Sequence, residues 1–504
     1  MPLLAAAPGD DPAALILDEN LRTAAADRVL GSRATSATEL AGRLGGLDAG
    51  PWVQLGPEQA VEAGDWRAVL RPGLHLALGD VTPDNAGGDT EPGLLTPKIS
   101  AAGAVSWRHL EARISPELSL GLVNPTCSSC NLGDAGDLRL TTAWVGLQRP
   151  QARLGFGKEQ RWLGPGRRGT LALSDNATAP WLGGGAIEGR LPKVGNKLGR
   201  FRFEFAMGVL EQPRDDVTDP GLMVIDARWL PVPILELGAT RMTIFAGEGR
   251  PPVEIGQLIL PTEPHIYDDP DRLLPDQNEI ARLDFRLMLP IQKWFDGPVR
   301  YGEVWWEYAG EDVIKRYSGP VPYPALAGVA NLYGAELALG PWVVTAEHAR
   351  LLDDTFRWYR YHRVYHEGFT QNGRVLGHEA GTDSLSWYLA AAWTQPTSRI
   401  SAWTEKVERI GVVAAQGDAV YAMAVEEHRL RTGLDLALRF PGAEGSALTR
   451  AGGLRPAVSG SIDRVTGQGH VPGADDLQWR VALSLTTDAP WGRPLAPTSE
   501  ASPG

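Results

Sequence analysis

From about residue 65 onward the chain repeats one pattern, short segments in which apolar and polar residues alternate, separated by Gly, Pro and Asp. Phe201, Phe203 and Phe205 alternate with Arg202 and Glu204, and Leu283, Phe285 and Leu287 alternate with Asp284 and Arg286. Leu434, Leu436, Leu438 and Phe440 alternate with Asp435 and Arg439. Near the end, Leu477, Trp479, Val481, Leu483 and Leu485 alternate with Gln478, Arg480, Ala482, Ser484 and Thr486. A period of two puts one set on each face of a β-strand. One such strand fits a soluble β-sandwich as well as a membrane barrel, so the number of strands decides more. In residues 66–487, strands of about 10 residues with alternating short and long connections give roughly 16 to 20 strands. The pattern predicts an all-β fold, a transmembrane antiparallel β-barrel over residues 65–490.

The ends read differently. Residues 1–9 look like the remnant of a signal peptide, with Ala5 and Ala7 before Pro8. Residues 10–64 carry helix signals: Asp11 and Pro12 at a start, Leu15, Leu17 and Leu21 within, and Gly45-Gly46 at a stop after Leu40 and Leu44. They predict a short periplasmic helical segment, and residues 491–504 a flexible tail. The Pro-rich runs Asp80 to Gly93, Leu260 to Glu279 and Ser318 to Gly328 mark longer connections. Trp305-Trp306, Trp358-Tyr359 and Trp387-Tyr388 fall at predicted strand ends, where interface girdles place aromatics.

Composition changes this picture little but excludes several classes. The 504 residues are 43% apolar with 59 Gly and 39 Pro, and no apolar run approaches the ~18 residues of a membrane helix. A barrel needs only half-apolar strands. The formal charge of -13 argues against a general nucleic-acid binder. Cys127 and Cys130 sit in a Gly- and Asn-rich stretch with no second pair to complete a zinc site. In an exported chain that spacing predicts a short structural disulfide.

Known catalytic signatures are missing from the sequence. Gly164-x-Gly166-x-x-Gly169 matches a dinucleotide fingerprint in letters, but contains Pro165 and neither follows a buried strand nor opens a helix. His366-Glu367 and His378-Glu379 lack a second spaced histidine, and Asp268-Asp269-Asp271 and Asp353-Asp354 read as solvated loop charge. No catalytic residue, metal site or cofactor is predicted.

The stretch from Gly157 to Pro180 has the form W-x-G-P-G, at Trp162, Gly164, Pro165 and Gly166, followed by S-x-N-A-x-P, at Ser174, Asn176, Ala177 and Pro180. With the ordered blocks Ile234 to Pro251, Asp276 to Pro290, Tyr301 to Asp312 and Tyr365 to Ser384, it resembles the Wzi family of capsule-assembly proteins. The resemblance implies a barrel of eighteen strands in the bacterial outer membrane that anchors capsular or exported polysaccharide as a lectin. It further implies a helical bundle closing the periplasmic mouth, which the brief N-terminal segment does not match. Implied partners are the polysaccharide, outer-membrane lipids and lipopolysaccharide, and the polysaccharide export machinery. A diffusion porin and an outer-membrane glycan-modifying enzyme are the alternatives. Within these blocks Glu159, Arg161, Glu236, Arg241, Asp284, Arg286, Glu303, Glu311 and Asp312 form a polar set for the lumen. They serve either as ion-pair ladders or, in the case of Glu159, Arg161, Arg286, Glu303 and Asp312 with Trp162, Trp305 and Trp306, as glycan contacts.

Overall fold

A computed structural model describes residues 61–63, 66–79, 95–107, 109–120, 136–149, 152–189, 198–210, 214–232, 234–253, 277–289, 291, 297–318, 321–352, 358–360, 362, 364–395, 398–410, 414–416, 419–421, 426–438, 440 and 454–487. The predicted N-terminal segments apart from residues 61–63, which are strand and not helix, lie outside these residues, as do Cys127, Cys130 and the tail. The wall consists of β1 Trp66–Gly79, β2 Leu95–Trp107, β3 Leu110–Leu120, β4 Gly136–Arg149, β5 Ala152–Lys158 and β6 Trp181–Gly189. It continues through β7 Arg200–Val209, β8 Gly221–Val232, β9 Leu235–Phe245, β10 Gln277–Leu289, β11 Val299–Ser318 and β12 Val321–Leu339. It ends with β13 Trp342–Leu351, β14 Ser384–Gln395, β15 Ser398–Arg409, β16 Glu427–Leu438, β17 Leu454–Thr466 and β18 Asp476–Thr487.

These eighteen strands form a closed antiparallel barrel in which each pairs with its neighbours in sequence. β18 returns to β1 with Gly73 opposite Thr486 and Gly79 opposite Arg480, which leaves no open seam. Val61–Ala63 folds back on β1 as a short extra strand. A register shift at Ser115/Pro116 accommodates a proline that cannot donate to the ladder.

Polarity is inverted relative to a soluble protein. Leu138, Leu154, Ile187, Leu283, Leu434 and Leu477 are exposed on the outside, while Arg228, Asp226, Arg282 and Glu307 are wholly buried inside. An outward apolar band around a polar interior is the membrane-barrel arrangement. No helix among the described residues is long and apolar enough to cross a membrane. Several even-to-odd connections are only two residues long, as at 108–109 and 340–341, and the even-to-odd connections share a rim with the start of β1 and the end of β18. Residues 159–180 and 352–383 connect strands at the other rim, the long-loop side that faces outward in such barrels.

One predicted connection is strand instead. β11 pairs with β10 only from Gly302 to Gly310, and β12 with β13 only from Asn331 to Leu339. Beyond that, Asp312 to Ser318 pair with Val321 to Ala327 as a two-stranded arm that continues past the paired wall. Pro322 and Pro324 fit because they are two residues apart, so both nitrogens point the same way, toward the edge without a strand partner.

Candidate functional site

Residues 159–180 turn inward from the loop rim and are buried almost throughout. The inward segment is pinned at its neck by Leu163 N–H donating to Leu173 O at 2.8 Å. Gly164, at φ 139°, begins the turn, and a Cβ there would stand 2.4 Å from Thr170 Oγ1 and 2.5 Å from Glu307 Oε1. The Trp162 indole N–H closes the turn on Gly166 O at 3.1 Å.

The glycine-rich turn surrounds carboxylates of the wall. Glu307 on β11 accepts Gly166 N–H at 3.1 Å, Leu171 N–H at 2.8 Å and the Thr170 hydroxyl at 3.0 Å. Glu347 on β13 accepts the backbone N–H groups of Arg167 at 2.7 Å, Arg168 at 3.0 Å and Gly169 at 3.3 Å, and the Trp305 indole N–H at 3.0 Å. Successive N–H groups in a tight turn make an anion-binding concavity. Here the protein's own glutamates occupy it.

The two turn arginines point apart. Arg167 reaches Glu303 at 2.6 Å, and its guanidinium lies 5.1 Å from the Trp305 ring centroid. Arg168 reaches Glu379 at 2.9 Å and Glu405 at 2.8 Å and lies 5.8 Å from Trp403. Each indole lies flat over a cross-strand glycine: a Cβ at Gly334 would meet Trp305 at 2.1 Å, and one at Gly433 would meet Trp403 at 2.4 Å. Trp144 lies over a diagonal glycine, Gly155, where a Cβ would meet it at 2.4 Å, with Arg113 at 4.8 Å and Arg153 at 5.6 Å from its ring. Gly334→Val, which raises strand propensity, should therefore destabilise the barrel by about 1–3 kcal/mol by overpacking Trp305. The temperature at which the folded gel band is lost checks this, and an unchanged or higher temperature would refute it.

A second segment, residues 358–383, packs on the first. Ser174 N–H donates to Leu376 O at 2.7 Å, and the Asn176 amide donates to Val375 O at 3.0 Å. Tyr359 joins the segments: its N–H donates to Glu311 at 2.9 Å, and its hydroxyl accepts His378 N–H at 2.9 Å while facing Leu171 O at 3.2 Å. Its φ of 70° is unusual for a bulky residue. Burial pushes its phenol well above the ordinary value, so the hydroxyl stays protonated. Leu163, Leu171, Leu173, Tyr365, Phe369 and Leu376 complete an apolar layer against wall residues such as Leu222, Ile244 and Leu332. Arg214 braces the layer from residues 214–220 by pairing with Asp216 at 2.7 Å and 3.0 Å and donating to Gly368 O. Burial alone would raise the Asp216 carboxyl, but Arg214 and the N–H groups of Val217 and Glu367 hold it below the usual range.

The residues singled out in the sequence separate into three places. Glu159 bonds Arg113 and Arg153, and Arg161 lies 3.6 Å from Glu204. Arg286 pairs with Glu236 at 2.6 Å, and Glu303 with Arg167. These groups, with Trp162 and Trp305, are buried inside the barrel. Trp306 faces outward beside Tyr333, on the opposite side of the wall from Trp305, so the two cannot cover one sugar. Arg241 also faces outward, bonded to Glu279 at 2.7 Å. Asp312 continues β11 into the arm, and its side chain lies outside the described residues. Sequence reasoning missed Glu307, Glu347 and Tyr359. The one available signal was that Glu307 and Glu347 hold polar-face positions of strands inside or beside the resembling blocks.

A family model described as capsule assembly protein Wzi matches residues 93–438. Among solved structures, the chain is similar to Wzi of Escherichia coli, described as an outer membrane protein involved in group 1 capsule assembly and a carbohydrate-binding β-barrel. The TM-score is 0.63 at 16% identity, covering 97% of this chain and 100% of that one. Pseudomonas aeruginosa OprD gives 0.46 at 9% identity over 85% of this chain and 97% of that one. OccK2 (OpdF) of the same organism gives 0.48 at 10% over 84% and 97%. No curated relative matches the chain in sequence.

Proposed function

The chain belongs to the capsule assembly protein Wzi family, and from that membership we propose that it binds capsular or exported polysaccharide and retains it at the outer face of the outer membrane, without chemical turnover. The observation that carries this reading is the inward fold of residues 159–180 and 358–383, tied to the wall through Glu307, Glu347, Arg167 and Arg168. Polymer delivered by export machinery would meet the outer surface of these segments rather than thread the lumen. That surface is polar, with Asp215, His366 and Asn372 exposed and Arg374 half-buried beside them. The buried candidates Glu159, Arg161, Trp162, Arg286, Glu303 and Trp305 then serve the glycan by holding the surface in place. A repeating polymer gains affinity from many weak contacts, so monosaccharides compete poorly.

Deleting the gene should leave polymer made and exported but shed into the medium, measured as the ratio of cell-bound to free polysaccharide. Restoring the chain as His366→Ala, Asn372→Ala and Arg374→Ala together should restore retention only in part, at about a fivefold loss of affinity for each contact worth roughly 1 kcal/mol. Full retention by the triple variant would move the surface elsewhere. Loss of synthesis in the deletion strain would reject the anchoring role.

A further inference from the structure

The outward face of the wall carries a feature that interface girdles do not explain. The register places Phe285, Trp306, Tyr333, His348 and Trp387 directly opposite one another on five successive strands, β10 to β14. The same row continues through Lys406 on β15 and Leu430 on β16 to Arg464 on β17. Strands of a barrel are tilted, so a row running across them climbs. Phe285 lies toward the terminus-side end of β10 at Leu289, whereas Lys406 and Arg464 lie next to the loop-side ends of β15 and β17 at Arg409 and Thr466. A girdle keeps one height at each interface. This row instead ramps across the apolar band.

The rings touch in two groups, Phe285 with Trp306 and Tyr333, and His348 with Trp387. Phe285 meets Trp306 edge-on at 6.0 Å, Trp306 and Tyr333 stack at 6.3 Å with 10° between planes, and His348 stacks on Trp387 at 5.0 Å. The Trp306 indole donates to Asn331 Oδ1 on the same outward face at 3.1 Å, and His348 Nδ1 lies 2.8 Å from Ser386 O of the wall backbone. At the top, Lys406 Nζ stands 5.4 Å over the Trp387 ring with its side chain 52% exposed, positioned by Glu408 at 2.5 Å. Arg464 is exposed and has no ion-pair partner among the described residues. Two strand spacings separate the cations, about 10 Å. Other outward positions near this rim include the apolar Leu78, Leu118, Leu120 and Val209, and also the exposed Arg350 and the half-buried Arg241, the latter bonded to Glu279.

We propose that this ramp seats one phosphorylated glycolipid of the outer leaflet, its phosphate held by Lys406 and Arg464 and an acyl chain lying down Trp387, Tyr333 and Trp306. Charge complementarity selects the headgroup, because a basic pair is worth having at that height only where lipid phosphates are. The outward aromatic row gives the chain a dispersion surface. The inference is independent of polysaccharide retention.

Native mass spectrometry of the full chain, released from nanodiscs of phosphatidylcholine doped with diphosphoryl lipid A, tests it. The parent should carry one lipid A, and the same lipid without its phosphates should not be retained. Lys406→Gln with Arg464→Gln should lower retention about twenty-fivefold, roughly fivefold per basic residue at an anionic lipid surface. Both side chains are outward, and unheated gel mobility verifies that the variant is folded. Trp306→Leu with Tyr333→Leu should shorten the retention of the phosphorylated lipid without restoring the dephosphorylated one. Equal retention of the two lipids by the parent, or parent-like retention by the glutamine variant, would overturn the proposal.

Discussion

Replacing Glu347 with alanine should open the inward turn while leaving the barrel intact. Four donors converge on this carboxylate, three of them backbone N–H groups of Arg167, Arg168 and Gly169. Hydrogen bonds of this kind are worth about 0.5–1.5 kcal/mol each, and water admitted to the gap would recover part of that. A net loss of about 3 kcal/mol raises the population with the turn detached roughly a hundredfold. Amide exchange at residues 167–169 should accelerate by that factor. Arg167 and Arg168 keep Glu303 and Glu405, so the segment loosens locally rather than leaving the lumen. Strand pairing does not pass through Glu347's carboxylate, and the heat-modified gel shift should persist. Glu347→Gln retains one acceptor oxygen and should fall between. Unchanged protection in the alanine variant would mean the turn is held by its apolar contacts instead.

What the sequence reveals and what it hides follow from how each contact is encoded. Strands are written locally: Phe201, Phe203 and Phe205 must share a face whatever the rest of the chain does, and their outward position needs only that the lumen be polar. The eighteen strands of the resembling family are the number that the closed wall has. The stretch from Trp162 to Pro180 stands out by composition, yet nothing local says that it lies inside. Its partner carboxylates Glu307 and Glu347 sit 141 and 180 residues away from the N–H groups they accept. The Ser318 to Gly328 run misleads because prolines usually mark loops, whereas here they occupy an edge without a neighbouring strand. The pair Trp305-Trp306 misleads for the opposite reason. Adjacency in sequence suggests one aromatic platform, but in a strand it guarantees two faces, one bonded to Glu347 and one stacked on Tyr333.

Arg228→Ala should be among the most damaging single substitutions in the wall. The guanidinium is fully buried and bonds Asp226 at 2.8 Å and Asp284 at 2.6 Å, with Glu236 at 3.9 Å. Gly238 stands opposite both Arg228 and Asp284, and a Cβ there would come within 2.3 Å of Arg228 and 2.5 Å of Asp284. The glycine is the space in which the pair meets. Removing Arg228 leaves three carboxylates sharing Arg282 and Arg286, of which Arg282 is already engaged by Thr170 at 2.6 Å and Glu307 at 3.3 Å. Breaking a buried pair by deleting one partner costs about 3–5 kcal/mol, chiefly through the charge left behind. The folded gel band should disappear at a markedly lower temperature in the alanine variant. Gly238→Ala should reproduce part of the loss by forcing the same groups apart. Combining Arg228→Met with Asp226→Leu and Asp284→Leu removes the charges together and should recover much of the stability, since an apolar replacement of a buried ion cluster is often neutral or better. If the triple variant is no more stable than Arg228→Ala, the cost lies in packing volume rather than in unpaired charge.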